Sequence, residues 1–127
     1  MRQVWVVDDD EEMSQAIGLM LKVLNCEVTS FQSARAVAQK LLTEKSPELL
    51  ILDINMPEVS GLDLVEFLRR RREWKDLPIL ILSSESAEST VDRALQLGAD
   101  AYLMKPVTIE ELEKAIDKSI EKRIRTK

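Results

Sequence analysis

The chain has no histidine among its 127 residues. That absence removes Ser-His-Asp and Cys-His catalysis, histidine metal sites and any role as a phosphohistidine donor. The single cysteine, Cys26, excludes an internal disulfide and reads as a small buried apolar residue rather than a reactive thiol. No stretch approaches the roughly 18 apolar residues that a membrane span requires. Met1-Arg2-Gln3 runs straight into an apolar segment, so no signal peptide is expected. An excess of basic charge is also missing: 18 Lys and Arg stand against 23 Asp and Glu, a formal net charge of −5. A nucleic-acid-binding domain normally carries a basic patch or stripe, so direct nucleic-acid binding is not expected. The one basic run, Arg69 to Arg72, falls where a helix should end, and reads as a solvated terminus complementing the helix dipole.

What is present fits one globular domain over residues 1–127, with a core from about 3 to 122, in the cytoplasm. Val4 to Val7, Leu49 to Leu52 and Ile79 to Leu82 are short unbroken apolar runs, as in strands covered on both faces. Val28 to Phe31 and Ala101 to Met104 are weaker and suit sheet edges. Between them lie five apolar stripes at helical spacing. These are Met13, Ile17, Met20, Leu21, Leu24; then Val37, Ala38, Leu41, Leu42 behind Ser33 as N-cap; then Leu62, Leu64, Val65, Leu68. The fourth is Val91, Ala94, Leu95, Leu97, and the fifth is Ile109, Leu112, Ala115, Ile116, Ile120, opened by a Thr108/Glu111 capping box. Pro47, Pro57, Pro78 and Gly98 fall in the connections. Five β-α units imply an α/β fold: a doubly wound parallel sheet flanked by helices, with any ligand at the carboxyl ends of the strands.

Those ends are rich in charge. Asp8, Asp9 and Asp10 follow the first strand, Asp53 the third, Ser83 and Ser84 the fourth, and Lys105 with Pro106 the fifth. Asp10, Glu11 and Glu12 are explained by the first turn of a helix alone, and Asp8 and Asp9 could be caps as well. Caps, however, require neither Asp53 nor Lys105 opposite them. Carboxylates packed together raise one another's pKa unless a cation balances them. An all-oxygen cluster suits a hard cation such as Mg²⁺, which needs few protein oxygens.

Val6-Val7-Asp8-Asp9-Asp10, then Leu52-Asp53-Ile54-Asn55-Met56-Pro57 with Gly61, then Ser83, then Lys105-Pro106, resembles the response-regulator receiver family (chemotaxis-type receivers of two-component signalling). The likeness runs from the first strand to the last helix. It implies a flavodoxin-like single sheet of five strands in the order 2-1-3-4-5 with five helices. It implies a phosphorylation-activated switch rather than a turnover enzyme. Asp53 would take a phosphoryl group from a sensor histidine kinase, a phosphotransfer protein or a small phosphodonor. Mg²⁺ would be held by Asp9, Asp53 and the Asn55 carbonyl, with Asp8 directly or through water. Lys105, aimed by a cis Lys-Pro bond, and Ser83 would bind the phosphoryl oxygens, Ser84 being the alternative hydroxyl. Gly61 reads as a backbone requirement, while Met56 and Pro57 shape the loop.

The resemblance makes Ser83 and Tyr102 the switch pair, although Tyr102 also reads as a plain edge-strand residue. The output surface would be the fourth helix, fifth strand and fifth helix, facing an effector domain or a second copy. An aspartate-nucleophile phosphatase would place its nucleophile after the first strand, and a flavin module would not tolerate three aspartates there. The remaining alternative is a receiver-like interaction module that is not phosphorylated.

Overall fold

The computed structural model describes residues 1–56 and 58–126, the last two by main chain only. The expected role of Pro57 lies outside the described residues. Five strands, β1 (Arg2–Val7), β2 (Cys26–Phe31), β3 (Leu49–Leu52), β4 (Ile79–Ser83) and β5 (Ala101–Met104), alternate with α1 (Glu11–Val23), α2 (Ala34–Thr43), α3 (Gly61–Arg70), α4 (Glu88–Leu97) and α5 (Ile109–Thr126). All pairings are parallel, in the order β2-β1-β3-β4-β5. The three unbroken apolar runs form the central strands and the two weaker ones the edges, as their composition predicts.

Alternation along the strands divides the core in two. Trp5, Val7, Leu50, Leu52, Ile79 and Ile81 pack on one face against Val37 and Leu41 of α2, Leu64, Val65 and Leu68 of α3, and Ala94 of α4. Val4, Val6, Leu49, Ile51, Leu80 and Leu82 pack on the other against Ile17 and Leu21 of α1 and Leu112, Ala115 and Ile116 of α5. Fully burying one such Leu or Ile is worth about 1.5–3 kcal/mol. Cys26 is buried with the second set, and burial pushes its thiol pKa up, as for an inert core residue.

Helix starts follow their caps. Asp10 caps α1 through Met13 N–H, Ser33 caps α2 through Ala36 N–H, and Thr108 and Glu111 close the expected box before α5. A second box, Ser60 with Asp63, opens α3 on the Ser-x-x-Asp spacing of the sequence. Three stripe residues face solvent instead of the core, Leu42, Leu95 and Ile109. The basic run also needs correcting. Arg70 to Arg72 are solvated, but Arg69 folds back at 3.1 Å from the buried Asp100 and donates to the Gly98 carbonyl. No helix among the described residues is long and apolar enough to cross a membrane.

Candidate functional site

Register brings the acids together. Val7 pairs with Leu52 in the sheet, so the next residues, Asp8 and Asp53, leave adjacent strands side by side. Asp53 N–H donates to the Val7 carbonyl at 3.0 Å, continuing the ladder for one more step. Ser83 pairs with Met104, so Lys105 emerges beside the end of β4, and its N–H donates to the Ser83 carbonyl. The Lys105–Pro106 bond is cis.

Lys105 bridges the acids: Nζ lies 2.8 Å from Asp8 Oδ2 and 3.4 Å from Asp53 Oδ2. These three side chains are largely buried, at 10%, 6% and 12% exposure. Burial pulls the lysine pKa down, but hydrogen bonding to Asp8 and the charges of Asp53 and Asp8 outweigh it, and the net direction is up from 10.5. Lys105 is thus held as a cation. Asp8 Oδ1 accepts from Asp10 N–H, and Asp53 Oδ1 accepts from Asn55 N–H, which fixes both carboxylates.

Asp8, Asp9 and Asp53 each offer an oxygen within 4.8 Å of the others. Three carboxylates beside one ammonium leave an excess of negative charge, which a divalent cation would balance. The donor set is hard oxygen throughout, which suits Mg²⁺. An open cleft of about 560 Å³ lies above, lined by Asp9, Asp10, Met13, Asp53, Asn55, Ser84, Lys105 and Pro106. Asp9, Asp53, Asn55 and Lys105 therefore share one cleft, with Asp8 beneath it. Gly61 owes its place to backbone: a Cβ there would sit 2.3 Å from the Asp53 carbonyl oxygen. No side chain fits at that start of α3.

The two switch candidates stand apart from the cleft wall. Ser83 is fully buried and its Oγ accepts from Glu85 N–H at 3.1 Å, while Ser84 is the hydroxyl residue on the cleft wall. Tyr102 is half-buried, and its hydroxyl donates to the Glu85 carbonyl at 2.6 Å. Burial raises the phenol pKa, the Ser83 hydroxyl opposes that rise, and the charges of Glu85 and Asp53 add to it. Sequence reasoning passed over Glu85, because a glutamate in a Ser/Glu-rich connection gives no signal of three separate contacts.

The description "Response regulator receiver domain" matches residues 4–117. The chain is 38% identical over 87% of its length to the phosphate regulon transcriptional regulatory protein PhoB of Rhizobium meliloti, but spans only 48% of that protein. It is 34% identical over 88% of its length to chemotaxis protein CheY1 of Helicobacter pylori, of which it spans 91%. A crystal structure of a putative response regulator from Chloroflexus aurantiacus superposes with a TM-score of 0.89 at 28% identity, over 94% of this chain and 98% of that one. On these matches the chain belongs to the response-regulator receiver domain family.

Proposed function

We propose that Asp53 is the phosphoacceptor of a Mg²⁺-dependent switch in a two-component phosphorelay. The observation that carries this reading is the Lys105 ammonium bridging Asp8 and Asp53 beneath an open cleft, with Asp9 close by. A carboxylate oxygen of Asp53 attacks phosphorus, the phosphorus–nitrogen bond of a partner's phosphohistidine breaks, and the released imidazole takes a proton. The obstacle is repulsion between two anions. Asp8, Asp9, Asp53 and the Asn55 carbonyl would hold Mg²⁺, which would supply charge neutralisation at the phosphoryl oxygens. Lys105, already protonated, pairs with one phosphoryl oxygen, and Ser83 donates to another.

Ser83 and Tyr102 then act as the switch, and the change is read on the face of α4, β5 and α5 by an effector domain or a second copy. The chain is self-phosphorylating and self-dephosphorylating, with no separate substrate turned over. Residues 1–127 form one receiver domain with its core at about 3–122, working in the cytoplasm with a sensor histidine kinase or phosphotransfer protein as donor. It binds neither nucleic acid nor membrane directly.

Treatment with acetyl phosphate and Mg²⁺ followed by intact-mass measurement tests the assignment. The protein should gain one acid-stable, base-labile phosphoryl group, and Asp53→Asn should gain none. Undiminished labelling of that variant overturns Asp53 as acceptor. An unlabelled wild-type protein supports instead an interaction module that is not phosphorylated.

A further inference from the structure

The flank of α1 beside the edge strand β2 carries two local defects that nothing within the domain explains. A cleft of about 340 Å³ there is lined by Ser14, Gln15, Gly18, Leu19 and Lys22 of α1 and by Val28 of β2. Gly18 sits in mid-helix, where glycine is the poorest helix former after proline. No left-handed φ asks for it, and a Cβ built there meets nothing of the surrounding fold within 4 Å. Ser14 is only 6% exposed, and its Oγ has no hydrogen-bond partner among the described residues. On the same cleft, the large apolar side chain of Leu19 is left 64% exposed.

Charge completes the pattern. Glu11, Gln15, Gly18 and Lys22 follow one another at spacings of four, three and four, so they form a single row along α1. Glu11 and Lys22 are exposed at the two ends of the row, and neither enters an ion pair among the described residues. The helix dipole accounts for their signs, but not for the glycine and the orphan hydroxyl between them. A row that reads acid, amide, glycine, base is complementary to itself when turned end for end.

We propose that this row of α1 is a contact with a second copy of the chain, the two helices packed antiparallel about a two-fold axis. Glu11 of each copy then faces Lys22 of the other, and Gln15 of each faces the bare backbone at Gly18. The missing side chain lets the helices close up. Gln15 brings a carboxamide oxygen within reach of the Ser14 hydroxyl after one rotamer step, and Leu19 is covered opposite Ser14. The contact is small, so the dimer is a weak one. It lies apart from the face of α4, β5 and α5, and it does not depend on Asp53 being the acceptor.

Charge reversal tests the pairing in the full chain without phosphodonor. Sedimentation equilibrium across micromolar to millimolar protein should show reversible dimerisation of the wild type. Glu11→Lys and Lys22→Glu should each weaken it about tenfold, because the axis repeats every change and turns attraction into repulsion. Mixing the two variants should restore association, since one copy then offers lysine at both ends of the row and the other glutamate. Far-UV circular dichroism separates a lost contact from a lost fold. Should either reversal unfold, Glu11→Gln and Lys22→Gln take its place, each expected to weaken association about threefold. A wild type that stays monomeric throughout overturns the proposal. So do single variants that associate like the wild type, and so does a mixture that associates no better than its components.

Discussion

The two ends of the sheet handle charge in opposite ways. At the amino ends of β4 and β5, Asp100 is completely buried yet fully matched. Its Oδ1 accepts from Arg123 Nε at 2.6 Å, and its Oδ2 from Arg69 at 3.1 Å and from Ile79 N–H at 2.8 Å. The spare guanidinium donors reach the carbonyls of Gly98, Trp74 and Lys75. Burial and the nearby Arg123 push Arg69 down to about 10, so it remains a cation at neutral pH. At the carboxyl ends, Asp8 and Asp53 share a single ammonium, with the Asp9 carboxylate grouped beside them. One end is saturated and can only hold; the other is short of positive charge and can still take a ligand. Stability and reactivity are thus built at opposite ends of the same strands.

The sharpest way to break this contrast is to remove the acid at each end. Asp100→Ala strands two guanidinium groups and the Ile79 N–H, and breaking a buried pair costs about 3–5 kcal/mol. The loss should appear as a lower urea midpoint at unchanged slope. Asp100→Asn, which keeps an acceptor for Ile79, should cost less. If Asp100→Ala costs no more than Asp9→Ala, the saturated end is not the stabilising one.

Asp9→Ala should leave metal-free stability unchanged or raise it by up to about 1 kcal/mol, because one of three crowded carboxylates is gone. The stabilisation that Mg²⁺ confers by binding the folded protein should largely vanish with it. Asp10→Ala should show the reverse, losing about 1 kcal/mol of cap energy while keeping its response to Mg²⁺. Thermal unfolding of both variants with and without Mg²⁺ measures this. Equal losses of the Mg²⁺ response would show that Asp10 belongs to the ion site and not to the helix start.

The reactive end was far more legible in the sequence than the saturated one. Asp8, Asp9, Asp53 and Lys105 each directly follow an apolar run or its first acidic residue, so strand ends alone predict their meeting. Arg69 sits in a run of four arginines on a helix, where solvation is the ordinary fate. What buries it is Asp100, 31 residues away, and the sharp turn at Gly98, whose φ is 117°. Leu42, Leu95 and Ile109 were misread for a related reason: their spacing fits an apolar stripe, but the helices present narrower faces to the sheet than the stripes suggest. The hydroxyl of the site was harder still, because Ser83 and Ser84 are adjacent and point to different surroundings. Strand register, not residue type, distinguishes them.

The smallest effect concerns Lys105 and pH. Its pKa in the folded protein is raised above 10.5, since Asp8 and Asp53 outweigh its burial. A cation whose folded pKa is raised contributes stability that is whole below the unfolded value and is lost as pH rises through the folded value. The contribution should therefore hold through neutral pH and fade only above 10.5. In Asp8→Asn the nearer charge, at 2.8 Å, is removed while burial remains. The folded pKa then falls toward the unfolded value, so less stability remains to be lost as pH rises. Tyr102 titrates in the same alkaline range, with its own pKa raised, so the comparison belongs in a Tyr102→Phe background. Urea midpoints taken from pH about 9 to about 11 should fall less steeply for Asp8→Asn than for its parent. Parallel curves would mean that Asp53 alone holds the lysine, and that the ion pair at the reactive end is less lopsided toward Asp8 than the distances imply.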